Sequence, residues 1–185
     1  IDKTPGLLAP NDINNLVETI HIRSKGESKK ATGAAANNLD LYQVNCTFLD
    51  ALGGCETEYL IARAVQFFAP GIPQVYYTGL LGGKNDMELL ERSKVGRDIN
   101  RHYYTNDEVD NALRQPMVKK IIDLISLRNS HPAFNGEFHV EAPEKSLLLM
   151  IWKKDDQWIK LDVDLSIPSA SITGSGLKEE IIYKG

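Results

Sequence analysis

The sequence predicts an α/β fold followed by a small antiparallel β domain, and three observations support this prediction. An apolar face at helical spacing runs over residues 56–69 and stops at Pro70-Gly71. The short apolar run that follows, residues 72–77, is typical of a strand buried on both faces. Strict alternation of apolar and polar residues over residues 158–167 is typical of a half-buried strand. A helix, a tight turn and a buried strand in this order indicate a parallel sheet, whereas the alternation indicates an antiparallel one.

The N-terminal stretch predicts a surface helix and then an irregular loop. Four apolar residues at helical spacing follow a cap at Asn11 or Asp12, and the helix ends near Lys25-Gly26; they are Ile13, Leu16, Val17 and Ile20. Residues 27–38 are polar, small and rich in Gly and Ala, which predicts a loop. Residues 41–48 are β-like in composition, and Gly53-Gly54 predicts a turn after them.

Two helices are predicted in the middle of the chain. Residues 79–104 are too polar and too rich in Gly for one element, although residues 87–92 can form a short helix. A longer helix begins with Pro116 in its first turn, reaches about Arg128 and cannot continue past Pro132. Its buried stripe consists of Val118, Ile121, Ile122 and Ile125.

The last quarter of the chain predicts an antiparallel β module. Strands are expected at residues 137–140, 147–152, 158–167 and about 180–183, with a turn at Asp155-Asp156. The pattern changes near Asn135-Gly136, which predicts two domains, residues 1–135 and residues 136–185.

Composition excludes several classes of protein. With 185 residues, of which 42% are apolar, the chain can bury a core. A net charge of −4 without a basic stripe makes nucleic acid an unexpected partner. The longest apolar run, residues 147–152, is far shorter than the roughly 20 residues that a membrane helix needs. The spacing of Cys46 and Cys55 suggests neither a zinc site nor a disulfide framework, so we expect two free thiols in a reducing cytoplasm and no metal.

Residues 40–43 combine side chains that suit sugar hydroxyls. A carboxylate accepts hydrogen bonds, while a phenol and a carboxamide both donate and accept, and Asp40, Tyr42 and Gln43 supply all three around Leu41. An Asx-type turn in an exposed loop explains the same residues equally well, so spacing alone leaves the alternatives open.

Residues 96–104 form a second polar stretch, following the predicted strand 72–77. Arg97 offers a rigid five-donor guanidinium that can bridge a hydroxyl and a carboxylate. A structural ion pair of Arg97 or Arg101 with Asp98 is the alternative, and the residues by themselves favour it. His102 is interpreted as a structural residue.

A complete catalytic set is not apparent in this sequence. Retaining glycoside chemistry needs two carboxylates about 5 Å apart. None of the 25 acidic residues lies in a setting that identifies it as nucleophile or acid.

Four runs of sequence, in this order, carry a resemblance to a known family. They are ATGAAANNLDLYQVN at residues 31–45, FFAPGIPQVYY at 67–77, GKND at 83–86 and GRDINRHYY at 96–104. Together they resemble sucrose phosphorylases, which belong to the α-amylase-type glycoside hydrolase superfamily. The resemblance is dense over residues 1–136 and loose over the β module.

The resemblance implies the C-terminal part of a (β/α)8 TIM barrel, with residues 72–77 as the eighth strand, followed by the antiparallel β domain. It implies conversion of sucrose and phosphate to α-glucose 1-phosphate and fructose by double displacement, without a cofactor, and carboxylates that lie upstream of Ile1. This chain alone is then expected to be inactive. Sucrose 6-phosphate, glucosylglycerol or glucosylglycerate as the substrate, and a non-catalytic carbohydrate-binding remnant, remain alternatives. A homodimer is left open.

The resemblance also assigns substrate contacts. Asp40, Leu41, Tyr42 and Gln43 match the acceptor-side loop, in which Asp and Gln contact the fructosyl part and Tyr helps to form the phosphate-binding state. Arg97 matches the arginine that binds the glucosyl unit.

Overall fold

A computed structural model describes residues 8–32 and 43–184. The chain folds into two compact units: Ile1–Gly54 with Gly83–Tyr104, and Cys55–Gly82 with Thr105–Gly185. In the described ranges, no helix is both long and apolar enough to cross a membrane.

Eight α-helices and five strands are described. The helices are α1 (Pro10–Arg23), α2 (Glu27–Lys30), α3 (Phe48–Ala51), α4 (Glu56–Phe68), α5 (Tyr77–Leu80), α6 (Met87–Ser93), α7 (Asn106–Arg114) and α8 (Pro116–Ser130). The strands are β1 (Glu137–Glu141), β2 (Leu147–Lys154), β3 (Gln157–Asp164), β4 (Ser169–Gly174) and β5 (Ile181–Lys184). Two 3₁₀ helices span Gly96–Asn100 and Pro132–Asn135.

The first unit contains α1, α2, α3, α6 and the 3₁₀ helix Gly96–Asn100. The predicted surface helix is confirmed as α1, with Pro10 in its first turn. The prediction of a loop over residues 27–38 is wrong for Glu27–Lys30, which form α2, and residues 33–38 lie outside the described ranges. The β-like composition of residues 41–48 does not give a strand in the part that is described. Residues 43–47 pair with no strand of the described chain, and α3 begins at Phe48.

The predicted strand at residues 72–77 is wrong in the second unit. Residues 72–76 pair with no strand of the described chain, and α5 begins at Tyr77. The side chain of Ile72 is 92% exposed. A β-strand needs at least one hydrogen-bonded neighbouring strand, and apolar composition alone does not report whether the chain provides it.

The five strands of the second unit form one antiparallel sheet in the order β1-β2-β3-β4-β5. The alternation predicted for β3 is confirmed over its first part, where Ile159, Leu161 and Val163 are buried.

At Gly136, just before β1, an added Cβ would overlap the carbonyl oxygen of Lys153, so only glycine fits there.

The end of the third predicted strand is wrong. β3 stops at Asp164, and Leu165 and Ile167 are 57% and 76% exposed in the turn before β4. β4 was not predicted at all. It buries Ala170 and Ile172 between β3 and β5.

The helices α4 and α8 pack together in this unit, and α4 also packs on the sheet. Both helices were predicted from their apolar stripes, but the stripe predicted for α8 is wrong at Ile122, which is 38% exposed. Met117 and Leu124 are buried there together with the predicted Val118 and Ile121. Phe68 at the end of α4 meets Phe134 edge to face, with ring centroids 5.1 Å apart. The aromatic core of the unit therefore joins helix and sheet.

Candidate functional site

The residues that the sequence nominates for substrate contact are only partly described. Asp40, Leu41 and Tyr42 lie outside the described residues. Gln43 is exposed at the start of the segment 43–47, and Arg97 is exposed on the 3₁₀ helix Gly96–Asn100. Both belong to the first compact unit.

Ile99 anchors the turn that carries Arg97. Its side chain is fully buried in a small cluster with Ala31 and Leu90. The backbone N–H of Asp86 donates a 2.7 Å hydrogen bond to the carbonyl oxygen of Ile99. The turn is thus fixed two residues from Arg97, which is itself an exposed residue.

Asn45 anchors the segment 43–47 to α2 and the residues that follow it. Its side-chain Nδ2 donates to the carbonyl oxygen of Ala31 at 2.8 Å, and its backbone N–H donates to Thr32 Oγ1 at 3.3 Å. The side chain is fully buried, and its Oδ1 atom has no hydrogen-bond partner in the structure as described. Gln43 therefore lies two residues from a fixed point.

Thr47 and Asp50 close the far end of this segment. Thr47 Oγ1 accepts from the backbone N–H of Asp50 and caps α3. Asp50 Oδ2 in turn accepts from Thr47 Oγ1 at 3.0 Å and from the backbone N–H of Asn85 at 2.5 Å. The cap is thereby tied to a residue far along the chain.

Asn85 makes three further contacts through its carboxamide. Oδ1 accepts from the backbone N–H of Thr47 at 2.8 Å, and Nδ2 donates to Glu27 Oε2 at 3.0 Å and to Cys46 Sγ at 3.6 Å. Burial raises the pKa of the Cys46 thiol to about 11; the charges of Asp50 and Glu27 act in the same direction, and hydrogen bonds to the sulfur oppose them. The Cys46 thiol is therefore expected to react more slowly than an exposed cysteine.

The side chains of Asp86 and His102 form a hydrogen bond beside Asn85. His102 Nδ1 lies 2.6 Å from Asp86 Oδ2, and Tyr104 packs edge to face on the imidazole at 4.6 Å between centroids. Asp86 Oδ1 accepts from the backbone N–H of Leu89 and caps α6. Burial alone would raise the pKa of Asp86, but the hydrogen bonds from His102 and Leu89 and the charges of His102 and Arg92 outweigh it and lower that pKa.

Asn85, Asp86 and His102 line an open cleft of about 480 Å³ in the first unit. Residues 84–88 form it together with His102 and Tyr104. The run 83–86 contributes to the family resemblance, but no role was predicted for its residues from the sequence. His102 was interpreted as a structural residue. The available signal was an Asp directly before a short helical pattern, which is a capping signature. Its pairing with His102 could not be read from the sequence.

Comparisons with known proteins define the class. The solved structure of sucrose 6F-phosphate phosphorylase from Thermoanaerobacter thermosaccharolyticum matches all of this chain and 38% of its own, with a TM-score of 0.82 and 36% identity. Cyclic α-maltosyl-(1→6)-maltose hydrolase from Arthrobacter globiformis matches 90% of this chain at a TM-score of 0.53 and 15% identity, which shows the fold alone. The chain therefore has the fold of the C-terminal part of α-amylase-family enzymes, including the antiparallel β domain.

Sequence relatives define the family more closely. Sucrose phosphorylase from Agrobacterium vitis is 59% identical over 175 residues, which cover 95% of this chain and 36% of that protein. Sucrose phosphorylase from Bifidobacterium adolescentis is 53% identical over 80% of this chain and 29% of that protein. Glucosylglycerol phosphorylase from Marinobacter adhaerens is 41% identical over 94% of this chain. No family model matches the chain.

The chain belongs to the family of sucrose phosphorylases and related glucoside phosphorylases. It spans about a third of the length of the relatives that it matches. The resemblance predicted from four sequence runs is confirmed.

Proposed function

We propose that this chain is the C-terminal part of a retaining phosphorylase that converts sucrose and phosphate to α-glucose 1-phosphate and fructose. The observation that carries the proposal is the 59% identity to a sucrose phosphorylase over 95% of the chain. Relatives named for other glucosides are 45% identical or less, which makes sucrose the first choice.

The proposed reaction has two displacements at the anomeric carbon of glucose. An Asp nucleophile forms a bond to that carbon while the bond to the fructosyl oxygen breaks, and a Glu gives its proton to the departing oxygen. An oxygen of phosphate then attacks the same carbon, the carboxylate leaves, and the Glu takes the proton from phosphate. Two inversions give retention. All the catalytic carboxylates are assigned to sequence upstream of Ile1.

Within this chain, the assigned roles are substrate contacts. Arg97 binds the glucosyl unit, and the five N–H donors of its planar guanidinium suit the hydroxyls of that sugar. Asp40, Leu41, Tyr42 and Gln43 contact the acceptor side. The exposure of Gln43 and Arg97 in the first unit is compatible with both roles.

The domain assignment and location are part of the same proposal. Residues 1–135 complete a (β/α)8 barrel and residues 136–185 form the β domain, which starts one residue before β1. The side chains of Ile72 and Tyr76 are exposed in the structure, and in this proposal other parts of the complete protein cover them. The free thiols of Cys46 and Cys55 accord with a cytoplasmic location.

The test begins with the sequence upstream of Ile1 and expression of the complete reading frame. That protein is incubated with phosphate and, in separate reactions, sucrose, sucrose 6-phosphate, glucosylglycerol and glucosylglycerate, and glucose 1-phosphate is measured. Highest kcat/KM with sucrose supports the proposal, and a higher value with another glucoside assigns that substrate instead. Glucose 1-phosphate from none of them would indicate a non-catalytic carbohydrate-binding remnant.

The 185-residue chain alone provides the matched control for this assay. It is expected to release no glucose 1-phosphate from sucrose above a reaction without protein, because the proposal puts the nucleophile and the acid outside it. It is also expected to be poorly soluble, because residues 72–76 pair with no strand of the described residues and expose Ile72 and Tyr76, which can associate with other chains. A soluble monomer that melts cooperatively would contradict this second expectation.

A further inference from the structure

We infer that the adjacent residues Asn85 and Asp86 are positioning residues that hold the segment 43–47 and the turn of Arg97 in one arrangement. The inference rests on the proposed function, since it takes Gln43 and Arg97 as substrate contacts. Neither residue of the pair is proposed to touch the substrate.

Asn85 connects three places in the chain through one carboxamide. Oδ1 accepts from the Thr47 amide, and Nδ2 donates to the Glu27 carboxylate and to the Cys46 sulfur. Thr47 is only 4% exposed, so its amide would find little water if Asn85 were removed. A carboxylate in place of Asn85 would lose both donors and would face the negative charges of Glu27 and Asp50.

Asp86 holds the turn that carries Arg97. Its backbone N–H donates to the carbonyl oxygen of Ile99, and its carboxylate pairs with His102 Nδ1. These two contacts are made on the C-terminal side of Arg97, at the end of its turn. A second link runs directly between the two segments, where Asn100 Nδ2 donates to the carbonyl oxygen of Cys46 at 3.4 Å.

Asn85 and Asp86 are joined by one peptide bond, so the position of the segment 43–47 is coupled to the position of the turn that carries Arg97. A displacement of Asn85 moves the backbone N–H of Asp86, and with it the carbonyl of Ile99. Misplacement of a substrate contact by about 1 Å can lower an enzyme's rate about 100-fold, so small shifts here matter for catalysis.

The experiment uses the complete reading frame with Asn85→Ala, Asp86→Ala and Asp86→Asn, and with Glu91→Ala as a control on the exposed side of α6. Hydrogen exchange is followed in peptides that cover residues 43–50 and 96–102, and kcat and KM are measured for sucrose and phosphate. Asn85→Ala is expected to speed exchange about tenfold at Thr47 and measurably in residues 96–102. The described hydrogen bonds of the Asn85 carboxamide go to Thr47, Glu27 and Cys46 and not to residues 96–102. Asn85→Ala is also expected to lower kcat/KM by about 10- to 100-fold.

Asp86→Asn keeps one side-chain oxygen, which can accept from the backbone N–H of Leu89, and its amide nitrogen can donate to His102 Nδ1 when that nitrogen carries no proton. It should therefore recover part of the activity that Asp86→Ala loses. Asp86→Ala is expected to speed exchange in residues 43–50 as well. Faster exchange confined to the segment next to each substitution would overturn the inference, and so would kinetics like those of Glu91→Ala. Should Asn85→Ala not fold, the Asp86 pair of variants decides by the same criterion.

The exchange measurement separates this inference from the proposed function. A parent protein that phosphorolyses no glucoside removes the proposed function, yet exchange still shows whether the two segments are coupled. An active parent with uncoupled segments removes only the inference.

Discussion

The indole Nε1 of Trp152 donates a 2.7 Å hydrogen bond to the carbonyl oxygen of Phe68. Phe68 is the last residue of α4, where carbonyl groups lack a partner within the helix, and Trp152 lies in β2. Both side chains are buried. The bond therefore satisfies a helix end and attaches that end to the sheet of the second unit.

Replacing Trp152 by Phe is predicted to destabilise the protein by about 1–3 kcal/mol, because a buried carbonyl loses its donor. Phe keeps an aromatic ring but lacks the five-membered ring of the indole, so the loss contains a packing contribution besides the hydrogen bond. Urea denaturation of the complete protein, followed by circular dichroism, measures the free energy of unfolding. Trp158→Phe is the matched control, since Trp158 is 41% exposed, and a change within about 0.5 kcal/mol is expected there. Equal losses for the two variants would contradict the prediction.

Helices and strands whose signal lies in their own residues could be predicted from the sequence. The apolar stripes of α4 and α8 and the alternation over Ile159, Leu161 and Val163 are each sufficient. The sequence of β4, SASITG, has only Ala170 and Ile172 as apolar members, which is too weak a pattern. Its strand state depends on pairing with β3 and β5, which its own composition does not report.

The candidate site was predictable in its residue types but not in its support. Gln43 and Arg97 could be nominated because their side chains suit polyols. Asn85 could not, because its contact with Thr47 spans 38 positions and depends on the folded chain. For residues 72–77 the sequence predicted an element that the structure lacks. Their composition is that of a strand, but the described chain offers no neighbour with which they pair.

Arg97→Ala in the complete protein is predicted to lose most phosphorolytic activity. A guanidinium that holds the glucosyl unit is needed in both displacements, so kcat/KM should fall about 100-fold or more for sucrose. Initial rates of glucose 1-phosphate formation measure this. Arg114→Ala, at an exposed position on α7, is the control for the loss of one arginine. Kinetics of Arg97→Ala equal to those of the parent would remove Arg97 from the site.

Gln43→Ala is predicted to change acceptor preference more than glucosyl transfer. The residue is assigned to the fructosyl side, so KM for fructose in the reverse reaction should rise several-fold while hydrolysis of sucrose by water changes little. Measuring both reactions with the same variant separates the two effects. A parallel fall in both would place Gln43 on the glucosyl side instead.

Cys55 is predicted to react with iodoacetamide well before Cys46. The thiolate is the reactive form, and a pKa of about 11 leaves Cys46 almost entirely protonated at neutral pH, whereas Cys55 is exposed. Peptide mass spectrometry over a time course of native labelling measures the order of modification. Denatured protein, in which both thiols are equally accessible, is the control. Equal native rates would contradict the burial of Cys46.

The Asp86–His102 pair is predicted to contribute stability that is lost in acid. The pKa of Asp86 is lowered below its ordinary value of 3.8, so the folded protein holds this proton less tightly than the unfolded chain. The contribution is therefore present above that ordinary value and disappears as the pH falls through the lower folded pKa. The Arg92 charge acts in the same direction. The unfolding free energies of the parent and Asp86→Asn should differ at about pH 6 and converge as the pH falls below the ordinary value. A difference that stays constant down to the acid limit would mean that the carboxylate charge contributes nothing and that only its hydrogen-bonding geometry matters.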